Sequence, residues 1–214
     1  MRLFRFACTL LLLTVPLCAQ TQHASSSMPA VADDLALVLG WPRVSNAVGT
    51  AIYGSSTWDE QQSARAGLAV GLEFRHWFAN QSGIQVDYNR TNTNATFKSL
   101  SFSSSLSYQV TRHEISGAFL RHFGRSELNL RPFFNLGPGI LLFDGGYAPG
   151  GRVGWSARPE LVLGGGFDMP ISRLLSFRAG YTYHLFRNSD YGDRQFHPRL
   201  AHIQQPTVGM SWKF

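Results

Sequence analysis

Catalysis at neutral pH most often runs through histidine, and the chain has seven. His184 stands in Tyr183-His184-Leu185-Phe186, with Ser189 and Asp190 shortly after it. A nucleophile needs its base within hydrogen-bond reach, and the base needs a third group to orient it. Nothing in this spacing fixes Ser189 beside His184. His197 and His202 would need a third ligand, such as Asp190 or Asp193, to hold a metal ion. No HExxH motif and no glycine-rich phosphate cradle occurs, and the run Gly164-Gly165-Gly166 lies inside an apolar segment, where it eases close packing. The reading is therefore of no catalytic residue, no cofactor and no metal site. What remains is a set of isolated charges on the polar faces of alternating segments: Glu73, Arg75, Asp87, Glu114, Arg158, Glu160, Arg178 and His184.

The alternation that carries them has period two. Leu68, Val70, Leu72 and Phe74 alternate with Ala69, Gly71, Glu73 and Arg75. Ile84, Val86 and Tyr88 alternate with Gln85, Asp87 and Asn89. The same period runs from Leu175 to Leu185 and from Thr207 to Phe214. Such alternation marks strands with one apolar and one polar face. Further strands are expected at Glu114–Phe123, Phe134–Leu142 and Leu161–Phe167. The first strand is placed at Ala47–Ser56, where the alternation is poor. Twenty-one glycines and ten prolines exclude a helix bundle.

The lengths of the connections decide how the strands are arranged. Short turns fall at Ala79–Ser82, Gly124–Leu128 and Asp168–Arg173. Long connections fall at Ser55–Ala64, Asn94–Gln109, Asp144–Arg158 and Arg187–His202. Strict alternation of short and long is the signature of an all-β, eight-stranded antiparallel up-and-down transmembrane β-barrel. An even strand count puts both termini on one side, expected to be the periplasm. A soluble β-sandwich also alternates, but its solvent face would be rich in Lys and Glu. Here Lys98 and Lys213 are the only lysines. Aromatic residues such as Phe78, Tyr88, Phe123, Tyr183 and Trp212 sit near strand ends, as at a membrane interface. In hydrocarbon an open sheet edge is too costly, so the sheet must close.

The N-terminus adds an address. Arg2 and Arg5 precede an apolar run from Phe6 to Val15, and Ala19 offers a small residue for cleavage. The run is too short to span a membrane as a helix, so residues 1–19 read as a secretory signal. Residues 20–33 read as a flexible segment and 34–214 as the barrel. The only two cysteines, Cys8 and Cys18, lie in the signal. The exported chain has no thiol chemistry and no disulfide framework. With no run of five like charges, nucleic-acid binding is not expected.

The last strand carries the most specific pattern. Val208, Met210, Trp212 and Phe214 alternate to a terminal phenylalanine. This resembles the strand by which the outer-membrane assembly machinery recognises its clients. The chain from about residue 34 resembles small eight-stranded outer-membrane barrels of the OmpA/OmpX-like kind. Arg131-Pro132-Phe133-Phe134, Gly164-Gly165-Gly166 and the stretch from His202 to Pro206 strengthen the resemblance. It implies an outer-membrane location, lipid and lipopolysaccharide as surroundings, and a monomer. Some barrels of this kind are lipid hydrolases with a His-x-Ser pair near the last external loop. His184-Leu185-Phe186 lacks that serine.

An eight-stranded barrel is just wide enough for side chains to fill it, and buried charges there must pair. The expected network sets Arg75, Arg158 and Arg178 against Glu73, Asp87, Glu114 and Glu160. Its expected role is to fill the lumen; a gate for small solutes or ions is the alternative. Pro138, flanked by Gly137 and Gly139, is expected to sit at a bulge in mid-strand. Arg187, Arg194 and Arg199 in the last loop are candidate contacts for lipopolysaccharide phosphates. The segment Asn94–Gln109 is expected to extend a hairpin above the membrane.

Overall fold

A computed structural model describes residues 32–45, 47–53, 56–64, 67–99, 105–123, 130–145, 147–148, 151–152, 154–187, 196–197 and 200–214. The segment read as a secretory signal (1–19) and residues 20–31 lie outside these residues. The eight barrel strands are β1 (Ala32–Gly40), β2 (Leu68–Ala79), β3 (Ser82–Ser99), β4 (Ser105–His122), β5 (Arg131–Asp144), β6 (Trp155–Pro170), β7 (Leu175–Arg187) and β8 (Leu200–Lys213). Each pairs antiparallel with its neighbours in sequence. The ring closes where β1 pairs with β8, from Asp34 opposite Lys213 to Gly40 opposite Thr207. Closure gives every strand a ladder on both sides, which hydrocarbon demands.

Polarity runs inside out relative to a water-soluble sheet. Leu35, Leu37 and Leu39 of β1 point outward and are exposed, while Asp34, Ala36 and Val38 point inward and are buried. The outer wall continues through Val70, Leu72 and Phe74 on β2, Ile84 and Val86 on β3, Ile115 and Phe119 on β4, and Leu161 and Leu163 on β6, all exposed. Among the described residues, those that are buried are mostly charged and polar. An unbroken apolar belt round a polar interior is the arrangement of a barrel standing in lipid.

The structure corrects the sequence reading at three places. The first barrel strand is Ala32–Gly40, not Ala47–Ser56. Its inward face holds Ala36 and Val38, so the polar half of the alternation shrinks to Asp34. The residues first taken for that strand form an external hairpin. There Ala47–Tyr53 pairs with Ser56–Ala64, which in turn pairs with the outer end of β3 from Ala95 to Ser99. The segment Asn94–Gln109 does extend a hairpin, as β3 runs on to Ser99 and β4 starts at Ser105. Asp168 belongs to β6 rather than to a turn; its carboxylate is drawn inward by two arginines. Pro138 makes no bulge. The register of β4 with β5 is the same on either side of it, with Ser116 opposite Gly139 and Phe119 opposite Leu136. The missing N–H interrupts the ladder without shifting it, and Pro138 faces outward.

The outward face of β1 sits in the middle of the closing seam, so a charge there meets hydrocarbon. Leu37→Arg is expected to destabilise the barrel by about 2–4 kcal/mol in lipid vesicles, read from its denaturant unfolding midpoint. Ala32–Gly40 would not be a lipid-facing strand if the midpoint were unchanged.

Candidate functional site

The site is the lumen, and three layers of side chains fill it. At the end bearing the short turns, Arg178 of β7 lies at the centre. Its Nε donates to Asp168 Oδ1 at 2.7 Å, Nη1 to Glu73 Oε2 at 2.9 Å and Nη2 to Asp34 Oδ1 at 2.9 Å. One guanidinium therefore ties β7 to β6, β2 and β1. Arg75 of β2 donates from Nη1 to the other oxygen of Asp168 at 2.9 Å and from Nε to Gln85 Oε1 at 2.7 Å. Its guanidinium also stacks 4.3 Å from the Phe133 ring centroid, a geometry in which a cation meets the ring's negative face. His122 Nε2 lies 3.0 Å from Asp168 Oδ2. Trp77 Nε1 donates to Asp34 Oδ2 at 2.9 Å.

The middle layer is reached through hydrogen bonds. Gln85 Nε2 donates to Asp87 Oδ1 at 2.8 Å, and Ser116 Oγ to Asp87 Oδ2 at 3.2 Å. Asn89 Nδ2 donates to Glu114 Oε1 at 3.2 Å. His184 Nδ1 lies 3.0 Å from Glu160 Oε2 and 3.7 Å from Glu114 Oε1. Arg112 Nη2 donates to Thr91 Oγ1 at 3.2 Å and Gln205 Oε1 at 3.3 Å. Toward the long loops the lumen turns apolar. Ala95, Val110, Leu141, Phe143, Phe186, Ala201 and Ile203 form one buried cluster, with Val44 packed against it.

Glycines make room for these side chains. A Cβ on Gly139 would stand 2.6 Å from Glu160 Oε1. One on Gly164 would meet the amide of Asn135. Pairing a glycine on one strand with a long polar residue on its neighbour is how a narrow lumen is packed.

Seven of the eight sequence-identified charges meet here as two groups. Glu73, Arg75 and Arg178 join the turn-end layer, and Asp87, Glu114, Glu160 and His184 the middle one. Arg158 is half-buried on the inward face of β6, two residues from Glu160. The partners differ from those expected. Arg75 and Arg178 converge on Asp168 and Asp34, while Asp87 bonds to Gln85 and Ser116. Asp34, Asp168, Arg112 and His122 escaped the sequence reading. Asp34 lay ahead of the strand then taken as the first, and Asp168 in a segment read as a turn. Thr111-Arg112-His113-Glu114 gave no polarity contrast from which to choose a face.

The other named residues lie elsewhere. Val208 and Met210 are half-buried on β8, Trp212 is exposed, and Phe214 is exposed with its N–H donating to Asp33 O at 3.0 Å. Arg187 is exposed at the loop end of β7. Arg194 and Arg199 lie outside the described residues, as do Ser189, Asp190 and Asp193. His202 stacks on Tyr183 outside the barrel, with ring centroids 5.1 Å apart.

No family model and no curated protein sequence matches the chain. Solved structures do. OprG from Pseudomonas aeruginosa superposes with a TM-score of 0.63 at 14% identity, over 88% of this chain and 98% of that one. Neisserial surface protein A gives 0.57 at 13% identity, over 86% and 99%. Ail of Yersinia pestis, in complex with the heparin analogue sucrose octasulfate, gives 0.53 at 13% identity, over 86% and 99%. At such identities the likeness is one of fold: this chain has the fold of the small eight-stranded outer-membrane barrels.

Removing one partner of a buried ion pair typically costs about 3–5 kcal/mol, because it strands the other charge. Asp168→Ala strands Arg75 and Arg178 together and is expected to fall in that range. Glu73 is more exposed than Asp168, and its loss leaves both arginines on Asp168, so Glu73→Ala is expected to cost less. Equal losses in equilibrium unfolding of the two variants would contradict the central place given to Asp168.

Proposed function

We propose that this protein is a monomeric outer-membrane barrel with a closed lumen, acting at the cell envelope through the end that bears its long connections. The single observation behind this reading is the filled interior. An ionic layer, a hydrogen-bonded layer and an apolar cluster succeed one another along the axis. A conducting path would have to break buried ion pairs at one end and displace Phe143, Phe186 and Ile203 at the other. The cavity at the turn end, about 170 Å³, is lined by Asp168, Ser176 and Arg178 on its inner side and does not extend past them.

In this reading the turn end, with both chain termini, faces the periplasm. Val208, Met210, Trp212 and Phe214 serve as the assembly signal. The external hairpins and the last connection meet the surroundings. Arg187, with Arg194 and Arg199, contacts phosphates of lipopolysaccharide, since a guanidinium fork suits a phosphate. Ail's complex with a polysulfated sugar is a precedent in the same fold for anion recognition. The protein is not an enzyme in this account: His184, the one histidine fully buried in the lumen, is held between two carboxylates rather than beside a hydroxyl.

Two measurements test this. The refolded mature chain, its folding verified by a heat-dependent gel shift, is expected to be silent in a planar bilayer; a steady ohmic conductance would overturn the closed lumen. Replacing Arg187, Arg194 and Arg199 together with alanine is expected to reduce co-purifying lipopolysaccharide at least several-fold. Unchanged co-purification would remove these arginines from the account.

A further inference from the structure

Glu114 on β4, Glu160 on β6 and His184 on β7 come together inside the barrel. Each offers one ligand atom, and these atoms all lie within 4.8 Å of one another. All three residues are buried, His184 and Glu114 almost completely. We propose that they form a binding site for one divalent transition-metal ion of the zinc class.

The first argument is spacing. Four ligands around zinc at about 2.1 Å stand about 3.4 Å apart. His184 Nδ1 lies 3.0 Å from Glu160 Oε2 and 3.7 Å from Glu114 Oε1. The ligand atoms of the two carboxylates lie within 4.8 Å of each other, and turning them toward His184 lets all three share an ion. The second argument is independent of spacing. Glu114 Oε2, Glu160 Oε1 and His184 Nε2 are buried without a hydrogen-bond partner among the described residues. Buried polar atoms are normally satisfied, and here one oxygen of each carboxylate beside His184 is not. An ion held by both carboxylates takes up their free oxygens. The third argument is support around the ligands. Asn89 already donates to Glu114 Oε1, an outer contact of the kind that orients a ligating carboxylate. Gly139 leaves the space that Glu160 Oε1 occupies.

The donor set selects the class of ion. One imidazole nitrogen with two carboxylates suits zinc, whereas calcium takes six to eight oxygens and magnesium keeps an octahedron of oxygens, mostly water. Arg112 is the cation beside the cluster, and its Nη2 is turned to Thr91 and Gln205. Since the cluster is enclosed, the ion enters as the barrel closes, and loading belongs to the refolding step.

The test refolds the mature chain in detergent with zinc or with EDTA, passes it through metal-free gel filtration, and measures zinc in the folded fraction. About one zinc per folded chain is expected. Glu160→Gln and His184→Gln are expected to lower retained zinc at least about tenfold, while His113→Gln, on the outer wall, retains it. The proposal is overturned if the folded wild-type chain holds no stoichiometric zinc, if His184→Gln holds as much, or if His113→Gln loses as much. Should the lumen variants fail to fold, cobalt decides: the wild-type chain refolded with Co²⁺ is expected to show the visible absorption of a four-coordinate site. A spectrum of octahedral aqueous cobalt overturns the site.

Discussion

The barrel is organised around the guanidinium of Arg178. Its three donor groups reach three carboxylates on three other strands, and one of those, Asp34, belongs to the strand that closes the ring. A buried arginine is tolerated only where its charge and all its directional donors are met. The position of β1 relative to β7 is therefore constrained from within, across the seam with β8, as well as by backbone ladders. Asp168 extends the same constraint to Arg75, and through Gln85 and Asp87 it reaches the middle of the lumen. Beyond it Asn89, Glu114, Glu160 and His184 form a second group.

This interior has a consequence for function. Water in a lumen solvates charges and lets solutes pass. Here side chains supply the solvation instead, and the loop end is sealed by apolar packing. The outer wall is given to lipid. At the loop end Ser56–Ala64 extends the sheet beyond the barrel along β3.

Much of the wall was legible in the sequence, because a half-lipid, half-lumen strand writes its two faces as alternating residues. Leu68–Arg75 and Leu175–Leu185 show this clearly. The readings failed where an inward face is itself apolar or small. Ala36 and Val38 hide β1, and Val162 with Gly164 blurs β6. Asp168 beside Met169-Pro170 looked like turn chemistry, yet two distant arginines keep it inside. The candidate site was legible as a list of charges but not as contacts. Which arginine meets which carboxylate depends on strand stagger, which alternation does not encode. The cluster of Glu114, Glu160 and His184 has no sequence spacing to betray it, because the stagger of the strands from β4 to β7 sets which inward residues meet.

A double-mutant cycle on Asp34 and Arg178 tests the central claim most directly. The variants Asp34→Asn, Arg178→Gln and their combination would be compared with the wild-type chain by equilibrium unfolding in lipid vesicles. The account predicts a favourable coupling of about 1–3 kcal/mol between the two positions, because each single change strands the other's charge at the seam. Additive losses, with coupling near zero, would contradict it and would mean that the ring is held by its backbone ladders alone.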